Sequence, residues 1–307
     1  MKSLRLGTRG SKLALWQAEH LTREINRLRP DLNVDLQVIK TTGDKILDVA
    51  LSKIGDKGLF TKELENELLA GKIDAAVHSM KDLPSKLEPG LCIGAALKRE
   101  NPGDVLISHK NYKFNKLPVA ARIGTSSLRR AAQLKAARPD LVILDLRGNV
   151  ETRIRKMQEE NLDAIILAHA GVKRLGLENM ISDYLPFEIV LPAVGQGVIA
   201  VEARENDGEV LKLLQLVDDR ETHISSQAER AFLREFEGGC QVPAASLAQL
   251  HGDKILVRGL IASLDGQEVH MKQMEGPAEE AELIGQRVAR SLLEAGADKI
   301  LEDIKSL

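Results

Sequence analysis

The chain has 307 residues, room for two or three domains at roughly 150 residues each. Hydrophobic residues make up 43% and charged residues 29%, a globular balance, while 3% aromatics leave the cores to Leu, Ile, Val and Ala and exclude nucleic-acid recognition by aromatic stacking platforms. A net charge of −2 supplies no basic field to draw in DNA or an anionic membrane, so any anion site must be local and assembled by the fold.

The chain opens as strand, glycine turn, helix. Ser3–Leu6 is half apolar, and Gly7-Thr8-Arg9-Gly10-Ser11 follows it. Ala14, Ala18, Leu21, Ile25 and Leu28 then step by four and three, a helix face closed by Pro30. Val34, Leu36 and Val38 alternate as a strand does. Phe60, Leu64 and Leu68 mark a second helix, and Ile73–Val77 a short buried strand ending at His78-Ser79-Met80-Lys81-Asp82. The plan then repeats. Ala120–Ile123 leads into Gly124-Thr125-Ser126-Ser127 and a helix from Leu128, and Val150, Ile154 and Met157 give a helix face with Asn149 as its N-cap. Leu162–Leu167 echoes Ile73–Val77. Two similar α/β lobes with mainly parallel sheets are expected.

Two turn-rich stretches bracket the second lobe, Arg99–Gly103 and Leu191–Gly197. They predict a two-strand hinge, with Ile199–Glu202 rejoining the first lobe. The remainder predicts a small α+β domain. A helix carrying Ile224, Ala228, Ala231 and Phe232 ends at Gly238-Gly239. A hairpin turns at Asp265-Gly266 between Ile255–Ile261 and Glu268–Met271, and a last helix opens at Pro277 with three glutamates. The resulting boundaries are 1–98 with 198–217, 103–192, and 220–307.

Both Gly-Thr turns join a strand to a helix, where free backbone N–H groups and the helix dipole favour an anion. Either alone reads as ordinary capping. Two matched turns with Arg9 beside one and Arg129-Arg130 beside the other favour paired anion sites facing one cleft. Arg147, Arg153 and Arg174, with Lys53 and Lys57 in a glycine-containing loop, are further cations at loop edges, each by itself a solvated charge. Asp82 follows a strand end, where open α/β sheets hold their active sites; it could handle a proton, or simply pair with Lys81. His78 reads as a core or supporting residue rather than a base. The two cysteines have neither metal spacing nor a disulfide framework, and no metal is expected. Cys92 reads as core. Gly238-Gly239-Cys240 places a thiol on a permissive turn, either a small buried hydrophobe or a reactive group. No secretory pattern or run of roughly 20 apolar residues is found, so a cytoplasmic protein without a membrane or nucleic-acid partner is expected.

At these residues the chain resembles the porphobilinogen deaminase family. The matching stretches are 7–15, 58–65, 76–84, 124–130, 146–150, 191–197, 229–233 and 237–243, in family order. After Pro243, Ala244-Ala245 stands where the family often has Ile-Gly. The resemblance implies a transferase that condenses four porphobilinogen molecules head to tail with loss of ammonia, then releases hydroxymethylbilane for tetrapyrrole (haem) biosynthesis. It implies an α/β fold of two periplasmic-binding-protein-like lobes joined by a hinge, plus a small α+β third domain, in a monomer. It implies a dipyrromethane cofactor held by a thioether to Cys240, and Asp82 as the essential carboxylate. It assigns pyrrole carboxylates to Arg9, Ser11, Lys81, Thr125, Ser127, Arg129, Arg130, Arg147, Arg153 and Arg174, with Ser79, Lys53, Lys57 and the hinge residue Gln196 in support. Two other readings remain at this point: a bilobed anion-binding protein without catalysis, and another cysteine-dependent transferase.

Overall fold

The computed structural model describes residues 1–45, 60–236 and 242–305; Lys53, Lys57 and Cys240 lie outside the described residues. The chain divides into two compact units, Met1–Glu100 with Val198–His223, and Asn101–Gly197 with Ile224–Leu307.

The first unit begins with β1 (Ser3–Thr8), the helix Lys12–Leu28 and β2 (Asn33–Val38). The helix buries Ala14, Ala18, Leu21 and Ile25, as the periodicity predicts, and Gln17 with them. Leu28 does not join that face; it is the last helical residue and is exposed. The next helix is Lys62–Leu69, so Phe60 precedes it in a turn instead of lying on its face. β3 (Ala75–Ser79) and β4 (Leu91–Ala96) follow.

The second unit holds β5 (Asp104–Ile107), β6 (Arg122–Gly124), β7 (Val142–Leu144), β8 (Ala164–Ala168) and β9 (Asp183–Tyr184). Its helices Leu128–Ala137 and Val150–Glu159 are capped by Ser127 and Asn149, the latter accepting from the Thr152 amide at 2.9 Å. The chain then returns to the first unit as β10 (Ile199–Arg204).

The sheet orders are β2-β1-β3-β10-β4 and β7-β6-β8-β5-β9. Each sheet is parallel except for its fourth strand. β10 runs antiparallel to β3 and β4, and β5 antiparallel to β8 and β9. These two are the strands that directly follow the chain crossings at 100/101 and 197/198. The repetition read from the sequence is therefore a repetition of topology, with one inserted reversed strand per sheet.

The second unit also contains an antiparallel sheet of β11 (Ala244–His251), β12 (Lys254–Ala262) and β13 (Val269–Pro277). Helices Arg220–Arg234 and Ala281–Leu292 bury Phe232, Ile284, Val288 and Leu292 in one core with Ile255 and Val257. Gly285 permits this packing, since a Cβ there would lie 2.1 Å from the Ala228 carbonyl oxygen. The predicted hairpin turns at Gly266, which has φ +74°, but its second strand continues to Pro277 rather than ending at Met271. β11 was not anticipated; its Ala, Ser and Gln content carries little strand propensity, and pairing with β12 over its whole length supplies the order.

Candidate functional site

In the first unit β1 and β3 are parallel neighbours, so their carboxyl ends open on the same sheet edge. After β1, Ser11 caps the helix Lys12–Leu28 by accepting from the Ala14 amide at 3.3 Å. Arg9, in the turn, stacks its guanidinium 4.2 Å from the centroid of Phe60. After β3, a short 3-10 turn over Met80–Asp82 is fixed by Met80 N–H donating to the Val198 carbonyl at 3.0 Å. Gln17 ties helix to strand end, its Nε2 donating to Ser79 Oγ at 2.9 Å. Arg9, Ser11, Gln17, Phe60, His78, Ser79 and Asp82 line one pocket. Asp82 is exposed there, and Lys81 beside it is half-buried and not among the lining residues.

The second unit builds the matching turn after β6. Ser127 caps its helix by accepting from the Arg130 amide at 3.4 Å, and its own amide donates to Thr125 Oγ1 at 3.3 Å. Arg129 and Arg130, one and two residues into that helix, point into the protein. Arg129 donates to Asp104 Oδ2 at 2.7 Å and to the Leu191 carbonyl at 2.8 Å. Arg130 donates to Asp104 Oδ1 at 2.6 Å and to the Ile166 carbonyl at 3.1 Å. Gln196 reaches the same carboxylate, its Nε2 donating to Asp104 Oδ1 at 2.8 Å and to the Pro102 carbonyl at 2.7 Å. Gln196 thus bridges residues from both turn-rich stretches read as the hinge.

Burial alone would raise the Asp104 carboxyl, but Arg129 and Arg130 outweigh it and hold it far below the usual carboxylate range. Burial lowers the Arg129 guanidinium, opposed by Asp104. Two guanidiniums around one carboxylate leave a net positive charge inside the unit, and Arg130 Nε is buried with no hydrogen-bond partner.

The other predicted cations take separate places. Arg147 is half-buried, with Nε 3.6 Å from Asp145. Arg153 Nε donates to the Gly148 carbonyl at 2.8 Å, and Arg174 to the Gly197 carbonyl at 2.7 Å. Cys92 is half-buried on β4, where burial and then Glu205 and Glu202 push its thiol up, leaving it less nucleophilic than a free cysteine.

Three residues of these sites were not singled out from the sequence: Gln17, Phe60 as a pocket residue, and Asp104. Gln17 could have been found as the polar position beside Ala14 and Ala18 on an apolar helix stripe. Asp104 follows Pro102-Gly103, and nothing local marks it as the partner of arginines 25 and 26 residues away.

Among the described residues no group of His, Cys, Asp and Glu could hold a metal, and no helix is long and apolar enough to cross a membrane. Residues 4–212 match the family model described as porphobilinogen deaminase, dipyromethane cofactor binding domain, and residues 223–294 the model for the porphobilinogen deaminase C-terminal domain. The porphobilinogen deaminase of Syntrophomonas wolfei is 65% identical over 301 residues, covering 98% of both chains. That of Carboxydothermus hydrogenoformans is 53% identical over 304 residues, 99% of this chain and 98% of the other. Among solved structures, the methionine-binding protein MetQ overlays with TM-score 0.46 at 14% identity, covering 78% of this chain and 96% of its own. The Bordetella pertussis BvgS periplasmic VFT2 domain overlays with TM-score 0.44 at 13% identity, covering 70% and 86%. With both models matched in order and whole-length relatives above 50% identity, this chain belongs to the porphobilinogen deaminase family.

Proposed function

We propose that this chain condenses four porphobilinogen molecules head to tail with loss of ammonia and releases hydroxymethylbilane for tetrapyrrole biosynthesis, using Asp82 as its key carboxylate and Cys240 as the attachment point of its dipyrromethane cofactor. The observation that carries the reading is the pocket at the carboxyl ends of β1 and β3, where Asp82 shares a wall with Arg9, Ser11 and Ser79. Departure of ammonia from porphobilinogen leaves a pyrrole-centred cation, and a fixed, solvent-reachable carboxylate stabilises it and handles its proton. Each porphobilinogen brings an acetate and a propionate. Arg9 and Ser11 offer such groups a guanidinium and a hydroxyl at a helix start.

The bound dipyrromethane supplies a primer on which the chain grows. Thr125, Ser127, Arg129, Arg130, Arg147, Arg153 and Arg174 would hold its carboxylates and those of added pyrroles, with Lys81, Lys53 and Lys57 as further cations. Gln196 acts through Asp104, keeping Arg130 in place. Three separate sheets support a division into 1–98 with 198–217, 103–192, and 220–307. The enzyme is read as a cytoplasmic monomer.

Intact-protein mass spectrometry with peptide mapping, beside Cys240→Ser, tests this directly. An adduct of two porphobilinogen units less two ammonias on Cys240 supports it. A chain that stays bare after incubation with porphobilinogen overturns it and favours an anion-binding protein.

A further inference from the structure

On the helix Leu128–Ala137, one turn beyond Arg129, Gln133 is 4% exposed. A buried carboxamide is costly unless both of its ends are matched. Gln133 Oε1 accepts from the Leu191 amide at 2.8 Å, and its Nε2 donates to the Leu191 carbonyl at 3.1 Å and to the Arg129 carbonyl at 3.2 Å. The side chain therefore grips both backbone groups of one residue, as a neighbouring strand would. Leu191 needs that grip, because it is buried and belongs to no strand or helix that could satisfy its peptide groups.

The Leu191 carbonyl has a second donor. Arg129 Nη1 reaches it at 2.8 Å and reaches Asp104 Oδ2 at 2.7 Å, so one nitrogen spans the two acceptors. The two acceptors are fixed in different ways. Asp104 is built into β5, paired with Ala168 of β8, and its carboxylate is held by Arg130 and Gln196 as well. Leu191 packs with Ala132, Ala245, Leu247 and Leu260, while the hydrogen bonds from Gln133 set the direction of its peptide groups. A shift of the Leu191 carbonyl would turn the Arg129 guanidinium about Asp104.

We propose that Gln133 is a positioning residue for carboxylate binding: it fixes the Leu191 carbonyl, and through it the direction in which Arg129 meets the cofactor and the growing chain. Gln133 acts from inside the unit, with both ends of its carboxamide spent on backbone groups. A guanidinium pairs with a carboxylate through parallel hydrogen bonds in one plane, so a small turn of Arg129 costs binding. This inference rests on the reading of Arg129 as a carboxylate binder.

The test compares Gln133→Met with Ser182→Ala. The first keeps the length of the side chain and loses its three hydrogen bonds. The second removes a similar grip in the same unit at the other end of β5, where Ser182 Oγ accepts from the Ser108 amide at 3.0 Å and donates to the Ser108 carbonyl at 3.1 Å. Both variants should unfold at a lower temperature than wild type. Only Gln133→Met should raise KM for porphobilinogen, about tenfold with kcat within about twofold, in holoenzyme whose cofactor mass is confirmed. Its apo chain should also load cofactor more slowly by intact mass, and hydrogen exchange at the Leu191 amide should quicken. In an Arg129→Lys background the effect of Gln133→Met on KM should shrink to about twofold or less, because Gln133 acts through the Arg129 fork. Unchanged KM and loading in a folded Gln133→Met protein overturn the proposal, and so does an effect of full size in the Arg129→Lys background. If Gln133→Met does not fold, Gln133→Glu decides by the same readouts, since it keeps an acceptor for the Leu191 amide and loses the donor to the carbonyl. An Arg129→Lys enzyme with wild-type KM and loading would instead overturn the reading of Arg129, and this inference with it.

Discussion

Arg130 meets Asp104 at 2.6 Å inside the second unit, with both side chains almost wholly withdrawn from solvent. Arg129 holds the other oxygen of the same carboxylate, so one aspartate at the start of β5 fixes both arginines of the Leu128–Ala137 helix.

Asp104→Asn is expected to destabilise the protein by about 3–5 kcal/mol, because it leaves two buried guanidiniums without a countercharge. The folded Asp104 carboxyl is depressed, so its contribution is complete above the ordinary aspartate range and is lost only as pH falls below it. Urea unfolding at several acidic pH values checks both points, and the variant should lose part of the wild-type acid dependence.

Arg130→Ala is expected to impair cofactor loading or chain growth, as seen by intact mass after incubation with porphobilinogen. Since Arg130 also anchors to Asp104 and the Ile166 carbonyl, unfolding measurements must accompany the loading assay. Normal loading and kinetics in a folded variant would remove Arg130 from the binding set.

Asp82→Asn should keep the fold and the cofactor while nearly abolishing turnover. Asp82 is exposed, so the exchange leaves no buried group unsatisfied and thermal unfolding should move little. A steady-state rate close to wild type would refute its role.

Gly266→Ala tests how the β12–β13 hairpin docks on the helix that carries Arg129 and Arg130. A Cβ at Gly266 would lie 2.4 Å from the Ala136 backbone nitrogen and 2.8 Å from the Ala132 carbonyl oxygen, at φ +74°. Gly252 has nearly the same backbone at φ +68° with nothing within 4 Å. Gly252→Ala should cost about 1–2 kcal/mol for the left-handed conformation alone, and Gly266→Ala should cost about 1–3 kcal/mol more for overpacking. Equal denaturant midpoints for the two variants would contradict the docking.

His223 gives a pH dependence of opposite sign. Its Nδ1 lies 2.8 Å from Asp218 Oδ1, and that hydrogen bond raises the imidazole above its ordinary value of 6.5. A raised folded-state histidine contributes fully below the unfolded value, and the contribution is lost as pH rises through the folded one. Thermal melts from pH 5 to 9 should therefore lose stability on the alkaline side, and His223→Gln should lose less.

Much of this was legible along the chain. The stepping of Ala14, Ala18, Leu21 and Ile25, the paired Gly-Thr turns and the Asp265-Gly266 hairpin are local signals, because helix period, capping and turn chemistry are set by neighbours within a few residues. The sequence motifs likewise identified Asp82, Arg9 and Ser79, which the fold brings to one pocket. The sequence alone thus determined the family, the repeated α/β plan and the principal candidate residues. Only the tertiary structure decided that Asp104 gathers Arg129, Arg130 and Gln196, that β5 and β10 reverse direction within their sheets, and that Glu202 lies against His78. Those pairings join residues tens to more than a hundred positions apart, and burial in a low-dielectric interior gives them a strength that no local pattern encodes.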